Sequence, residues 1–177
     1  MPLMSIIGCR EFEKEIVELL AEDKTIDHLL VVNGSRSLGF ISALKKKGLM
    51  PDVLSPERIP GGLKKSKGFN VLVTLQDIDL CRSPMHMKKQ TYEKIKFYGL
   101  VSNGILIFQS SCGGIFGDVL SDFSNSHFFL ELLSSENENY VVDKVDEYFS
   151  NNKDVLTTEL IEQHRNCYNK LKEQILS

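Results

Sequence analysis

What this sequence lacks narrows it quickly. No apolar stretch approaches the ~20 residues that a membrane-spanning helix needs, so no membrane is expected as a partner. The opening residues, Met-Pro-Leu-Met-Ser-Ile-Ile-Gly-Cys, carry neither a basic segment nor a long apolar one. A secretion signal is therefore not expected there, and a cytoplasmic protein is. Positive charge is not in excess: 21 Lys and Arg stand against 24 Asp and Glu. A net charge of −3 argues against a nucleic-acid binder working through bulk charge. The lysine clusters at 45–47 and 64–67 read instead as a solvated helix end and a loop.

Several signature motifs are also missing. The four cysteines, Cys9, Cys81, Cys112 and Cys167, show no CxxC spacing, and in a cytosolic setting they are expected to be reduced thiols. There is no GxGxxG and no GxxxxGK[ST], so no phosphate-binding loop is written in the sequence. Nor is there a CxxxxxR loop after Cys112, because residue 118 is Asp. No internal repeat or low-complexity tract stands out.

What is present is an alternation of short apolar runs and helical periodicity. At 177 residues the chain has room for one domain with a substantial core. Leu3–Cys9, His28–Asn33, Phe69–Leu75, Gly104–Phe108 and His127–Leu133 read as about five strands. Between them Phe12, Ile16, Leu19 and Leu20 fall at helical spacing, as do Leu38, Ile41 and Leu44 after Ser37. Tyr92, Ile95 and Phe97 or Tyr98 mark the inward face of a helix over 91–98, and a further one is expected at about 115–123. The second helix should end at Lys45-Lys46-Lys47-Gly48, with cations and a glycine at its C-terminus. A polar turn at 134–139 and a short helix carrying Val145 and Tyr148 follow. The last helix, about 156–176, carries Leu160, Ile161, His164, Tyr168, Leu171 and Ile175 on one face.

The expected fold is a single α/β domain over 1–177, a three-layer, Rossmann-like sandwich with a mostly parallel sheet. Residues 50–68, rich in Pro and Gly, are expected to be an irregular, mobile connection. The last helix and that loop are the surfaces on which a protein partner or a second copy of the chain would dock.

In such sheets, ligands bind beyond the carboxyl ends of the strands. The residues that follow strands are therefore the candidate site. They are Cys9, then Asn33 and Ser35, then Asp77, Asp79 and Cys81, and finally Ser111, Cys112, Gly113 and Gly114. If the strands before Cys9, Cys81 and Cys112 are neighbours, the thiols converge. Three thiols plus water would suit zinc or another thiophilic metal. Cys9 or Cys112 could alternatively serve as the nucleophile of a thiol-dependent transferase, with glycine N–H groups to stabilise an oxyanion. No histidine has an evident route to Cys112, so no triad is legible. Cys9 and Cys112 are expected to be more reactive than Cys167, which sits on the amphipathic last helix.

The segment Ser5-Ile6-Ile7-Gly8-Cys9-Arg10-Glu11-Phe12-Glu13-Lys14-Glu15, the strand ending at Val32-Asn33, and Gly104–Phe108 running into Cys112-Gly113 resemble an uncharacterised family. It is the domain of unknown function 1638, common in methanogenic archaea and anaerobic bacteria. Some members lie near corrinoid-dependent methyltransferase genes. The resemblance covers about residues 5–145 and implies a Cys-containing site and an association with methyl-transfer metabolism. This chain has Leu80-Cys81 where the family carries Leu-His, and Asp143-Lys144 where it carries Asp-Cys. The protein expected from all this binds a small molecule or metal ion at a cysteine-containing sheet edge.

Overall fold

Every residue of β1 (Leu3–Cys9) is buried, which a strand achieves only with neighbours on both sides and cover on both faces. It pairs in parallel with β4 (Phe69–Gln76) on one side and β5 (Gly104–Phe108) on the other, so that Ile6 lies opposite both Val73 and Leu106. Beyond β4 come β2 (Ile26–Val32) and β3 (Asp52–Leu54), and beyond β5 comes β6 (Phe129–Leu133). The sheet is thus six-stranded and all-parallel in the order β3-β2-β4-β1-β5-β6. This computed structural model describes residues 1–34, 37–59, 63, 67–76, 83–108, 116–133 and 158–177.

The helices are α1 (Glu13–Glu22), α2 (Ser37–Lys46), α3 (Pro84–Gly99), α4 (Val119–Asp122) and α5 (Thr158–Leu176). Two apolar clusters sandwich the sheet. On one face Ile16 and Leu20 of α1, Phe40 and Leu44 of α2, and Tyr168 and Leu171 of α5 pack on Met4, Ile6 and Val73. On the other, Met87, Ile95 and Tyr98 of α3 join Ile59 and Val119 over Leu3, Ile7 and Leu72. Connections that run one way along the sheet (β1 to β2, β2 to β3) use the first face. Those that run the other way (β3 to β4, β4 to β5, β5 to β6) use the second, as a single crossover hand requires.

Local sequence explains most element ends. The N–H of Gly48 bonds Lys45 O and that of Leu49 bonds Leu44 O, both at 3.0 Å. With φ +83° at Gly48, this is the Schellman ending that α2's Lys-Lys-Lys-Gly anticipates. Among the described side chains of α5, His164, Tyr168 and Leu171 are buried, so this face closes the domain's own core. No described helix is long and apolar enough to cross a membrane.

Three expectations need correction. The 50–68 stretch contains β3, a short turn of 3-10 helix at Pro56–Arg58 and the fully buried Ile59, which raises the strand count to six. Leu38 is 79% exposed and Phe40 takes the inward place instead. The third helix starts at Pro84, one turn or more before the periodicity shows it. The turn and short helix expected over 134–149 lie outside the described residues.

Candidate functional site

In open α/β sheets the useful crevices form between strands whose following connections leave on opposite faces. Here β2 feeds α2 on one face and its neighbour β4 feeds α3 on the other. A cleft of about 490 Å³ opens at that place, within the range of small-molecule sites.

Its floor is the carboxyl ends of the two strands, Val32 and Thr74–Leu75. The Asn33-Gly34 turn forms one rim. That turn is held by backbone and side chain together: Asn33 N–H donates to Leu54 O at 2.7 Å, and Ser37 Oγ donates to Asn33 Oδ1 at 3.1 Å. Pro56 closes the side towards β3, and the flank of α3 forms the opposite wall through Gln90, Glu93, Lys94, Phe97 and Tyr98. Residues 90, 94 and 97–98 recur at helical spacing, so one stripe of α3 faces the cleft. The adjacent stripe, Met87, Thr91 and Ile95, packs on the sheet.

The wall is fixed where strand and helix meet. Gln76, the last residue of β4, and Thr91 of α3 are both buried. Gln76 Nε2 and Oε1 lie 3.1 and 3.2 Å from the Thr91 hydroxyl. A second tie joins the Thr74 hydroxyl to the Tyr98 phenol; burial raises the phenol's pKa and that hydrogen bond partly counters it. Lys94 is half-buried. Burial pushes its ammonium below the ordinary lysine range, and the adjacent Glu93 offsets this only in part. The cleft therefore offers apolar and aromatic lining, a partly desolvated cation at Lys94 and an exposed carboxylate at Glu93.

Of the expected site residues, Asn33 lines this cleft. Cys9 does not. It is fully buried in the apolar cluster that holds Phe12, Ile16 and Phe40, where a thiol packs as a small hydrophobic group. The neighbouring strands themselves are as expected: Cys9 is paired with Gln76, and Gly8 with Phe108. Ser35, Asp77, Asp79, Cys81, Ser111, Cys112, Gly113 and Gly114 lie outside the described residues. Among the described residues, no three His, Cys, Asp or Glu side chains are grouped to hold a metal ion. The His164 ring is buried 4.9 Å from that of Phe108 and 6.0 Å from that of Phe12, a core position.

Thr74, Gln90, Lys94, Phe97 and Tyr98 were not legible as site residues. The helical spacing of the α3 stripe was available in the sequence, but nothing local says which flank of a helix overhangs which strand end. Compared with protein-family models and with curated proteins, the chain gives no match. The functional reading rests on the fold and the cleft.

Proposed function

We propose that this protein binds a small molecule in the cleft over the carboxyl ends of β2 and β4. The observation that carries the reading is the cleft itself, roughly 490 Å³ over the carboxyl ends of two strands whose connections leave on opposite faces. Connections also part to opposite faces at β4/β1 and β1/β5, so it is the cleft, with its lining, that singles out β2 and β4. Its mixture of apolar lining and a few polar groups is what an organic ligand needs for burial and orientation. Cys9 is not part of this site. A thiol-transferase reading would rest on Cys112 alone.

The test is a backbone-amide NMR map of the full chain against a mixed library of small organic fragments. Perturbations should converge on 32–34, 74–75 and 90–98, and a Gln90→Trp substitution that fills the rim should abolish them. Perturbations gathered elsewhere, or unchanged in the filled variant, would contradict the assignment.

A further inference from the structure

The ligand's chemistry can be taken one step beyond its location, resting on the cleft as the binding site. Among the described residues, Lys94 is the one cation lining the cleft, and it makes no hydrogen bond or ion pair with any of them. A half-buried ammonium without such a partner has lost hydration that nothing in the wall replaces. Glu93, its sequence neighbour, is exposed, so water screens that attraction. Across the cleft, Asn33 commits its carbonyl oxygen to Ser37 and keeps its amide N–H2 as a donor. Thr74 and Tyr98 share one hydrogen bond. The donors left over are thus the Lys94 ammonium and the Asn33 amide; Gln90, whose amide nitrogen meets His86 at 2.8 Å, keeps its oxygen as an acceptor, and the Glu93 carboxylate stands at the exposed side of the same wall. The apolar capacity comes from Phe97 and Pro56, an aromatic ring and a pyrrolidine.

We infer that the cleft takes a small planar anion, its ring against Phe97 and Pro56 and its negative group on Lys94. An anion would supply the hydrogen bonds that burial removes from the ammonium, and charge-assisted bonds of this kind are the stronger class. Glu93 acts against a second negative charge close by, so a monoanionic ring such as an aryl carboxylate fits better than a polyphosphate.

The experiment titrates the full chain with 2-naphthoate, its neutral isostere 2-naphthamide, and acetate, following cleft amides by NMR. Naphthoate should bind saturably, and naphthamide and acetate each about tenfold or more weaker, the scale of one charge-assisted hydrogen bond. Lys94→Gln should remove that preference for naphthoate and leave naphthamide unchanged. Lys94→Arg should retain the preference, and Lys96→Gln, an exposed lysine of the same helix, should have no effect. Equal binding of naphthoate and naphthamide at the cleft, or an unchanged preference in Lys94→Gln, would overturn the anion while leaving the cleft as the site. Acetate binding as tightly as naphthoate would remove the ring requirement. Absence of cleft perturbation by every probe would overturn the site itself.

Discussion

Tyr168, on the last helix, donates its phenolic O–H to Oδ2 of Asp23, just past the end of α1, at 2.7 Å and across 145 positions of chain. Lys172, one turn further on, donates to the same oxygen at 2.7 Å, and Thr25 supplies its N–H and hydroxyl to Oδ1 at 2.9 and 2.7 Å. Burial works to raise the Asp23 carboxyl's pKa. The bonds from Lys172, Thr25 and Tyr168 outweigh it and hold the group below the ordinary aspartate range.

A carboxyl depressed in the folded state contributes stability above its unfolded pKa of about 3.9 and loses it as pH falls through the folded value. Asp23→Asn should therefore cost about 2 kcal/mol near neutral pH, the scale of hydrogen bonds to a charged group. The difference from wild type should shrink steadily below about pH 4. Urea midpoints at pH 7, 4.5 and 3 check this, and a gap that stays constant with pH would contradict it.

Thr91→Val tests the joint between β4 and the cleft wall. It preserves shape and removes the hydroxyl that meets Gln76, leaving a buried amide short of a partner. A loss of about 1–3 kcal/mol is expected, together with weakened ligand perturbation at Lys94 and Phe97. Thermal melts and the amide map measure the two effects separately.

Gly99 sets two effects against each other. In a helix, Ala is ordinarily more favourable than Gly by about 1 kcal/mol. A Cβ here, however, would overlap Cε1 of the Phe128 ring, and displacing packed groups typically costs about 1–3 kcal/mol. Gly99→Ala should be net destabilising. The double variant Gly99→Ala with Phe128→Leu should recover part of the loss, as double-mutant melting would show.

The thiols should react in an order opposite to the one the sequence led us to expect for this pair. Cys9 has no solvent-exposed surface, whereas Cys167 is partly exposed. Burial and the nearby Glu131 push the Cys167 thiol up and so slow it, but access decides between the two. Under native conditions iodoacetamide should label Cys167 first, with Cys9 labelling only at the rate of unfolding. Peptide mapping over time reads both.

By itself, the sequence determined the class of fold. Runs such as Ile105-Leu106-Ile107-Phe108 and Val71-Leu72-Val73 are apolar on both faces, and only a covered parallel sheet accommodates them repeatedly. It determined α2's end through Lys45–Gly48, and the inward face of α5 through His164, Tyr168 and Leu171, because backbone φ and 3.6-residue periodicity are local properties. β3 escaped notice for the same reason: three residues beside Pro51, with Asp52 and Val53 exposed, carry no periodic signal, and β2 alone makes them a strand. Leu38 and Phe40 exchanged roles because α2's rotation is set by the surface it packs on.

The site was decided by tertiary structure. A strand's carboxyl end is legible from sequence, which is how Asn33 was found. Which ends are neighbours, and on which face each connection leaves, depends on pairings between segments tens of residues apart. Cys9 follows a strand as a ligand residue should, yet packing turned it into core. Lys94, Phe97 and Tyr98 became a wall only when α3 crossed from β4 to β5 beside the end of β2. Local chemistry specifies what a side chain can do; the long-range pairing of strands specifies what it faces.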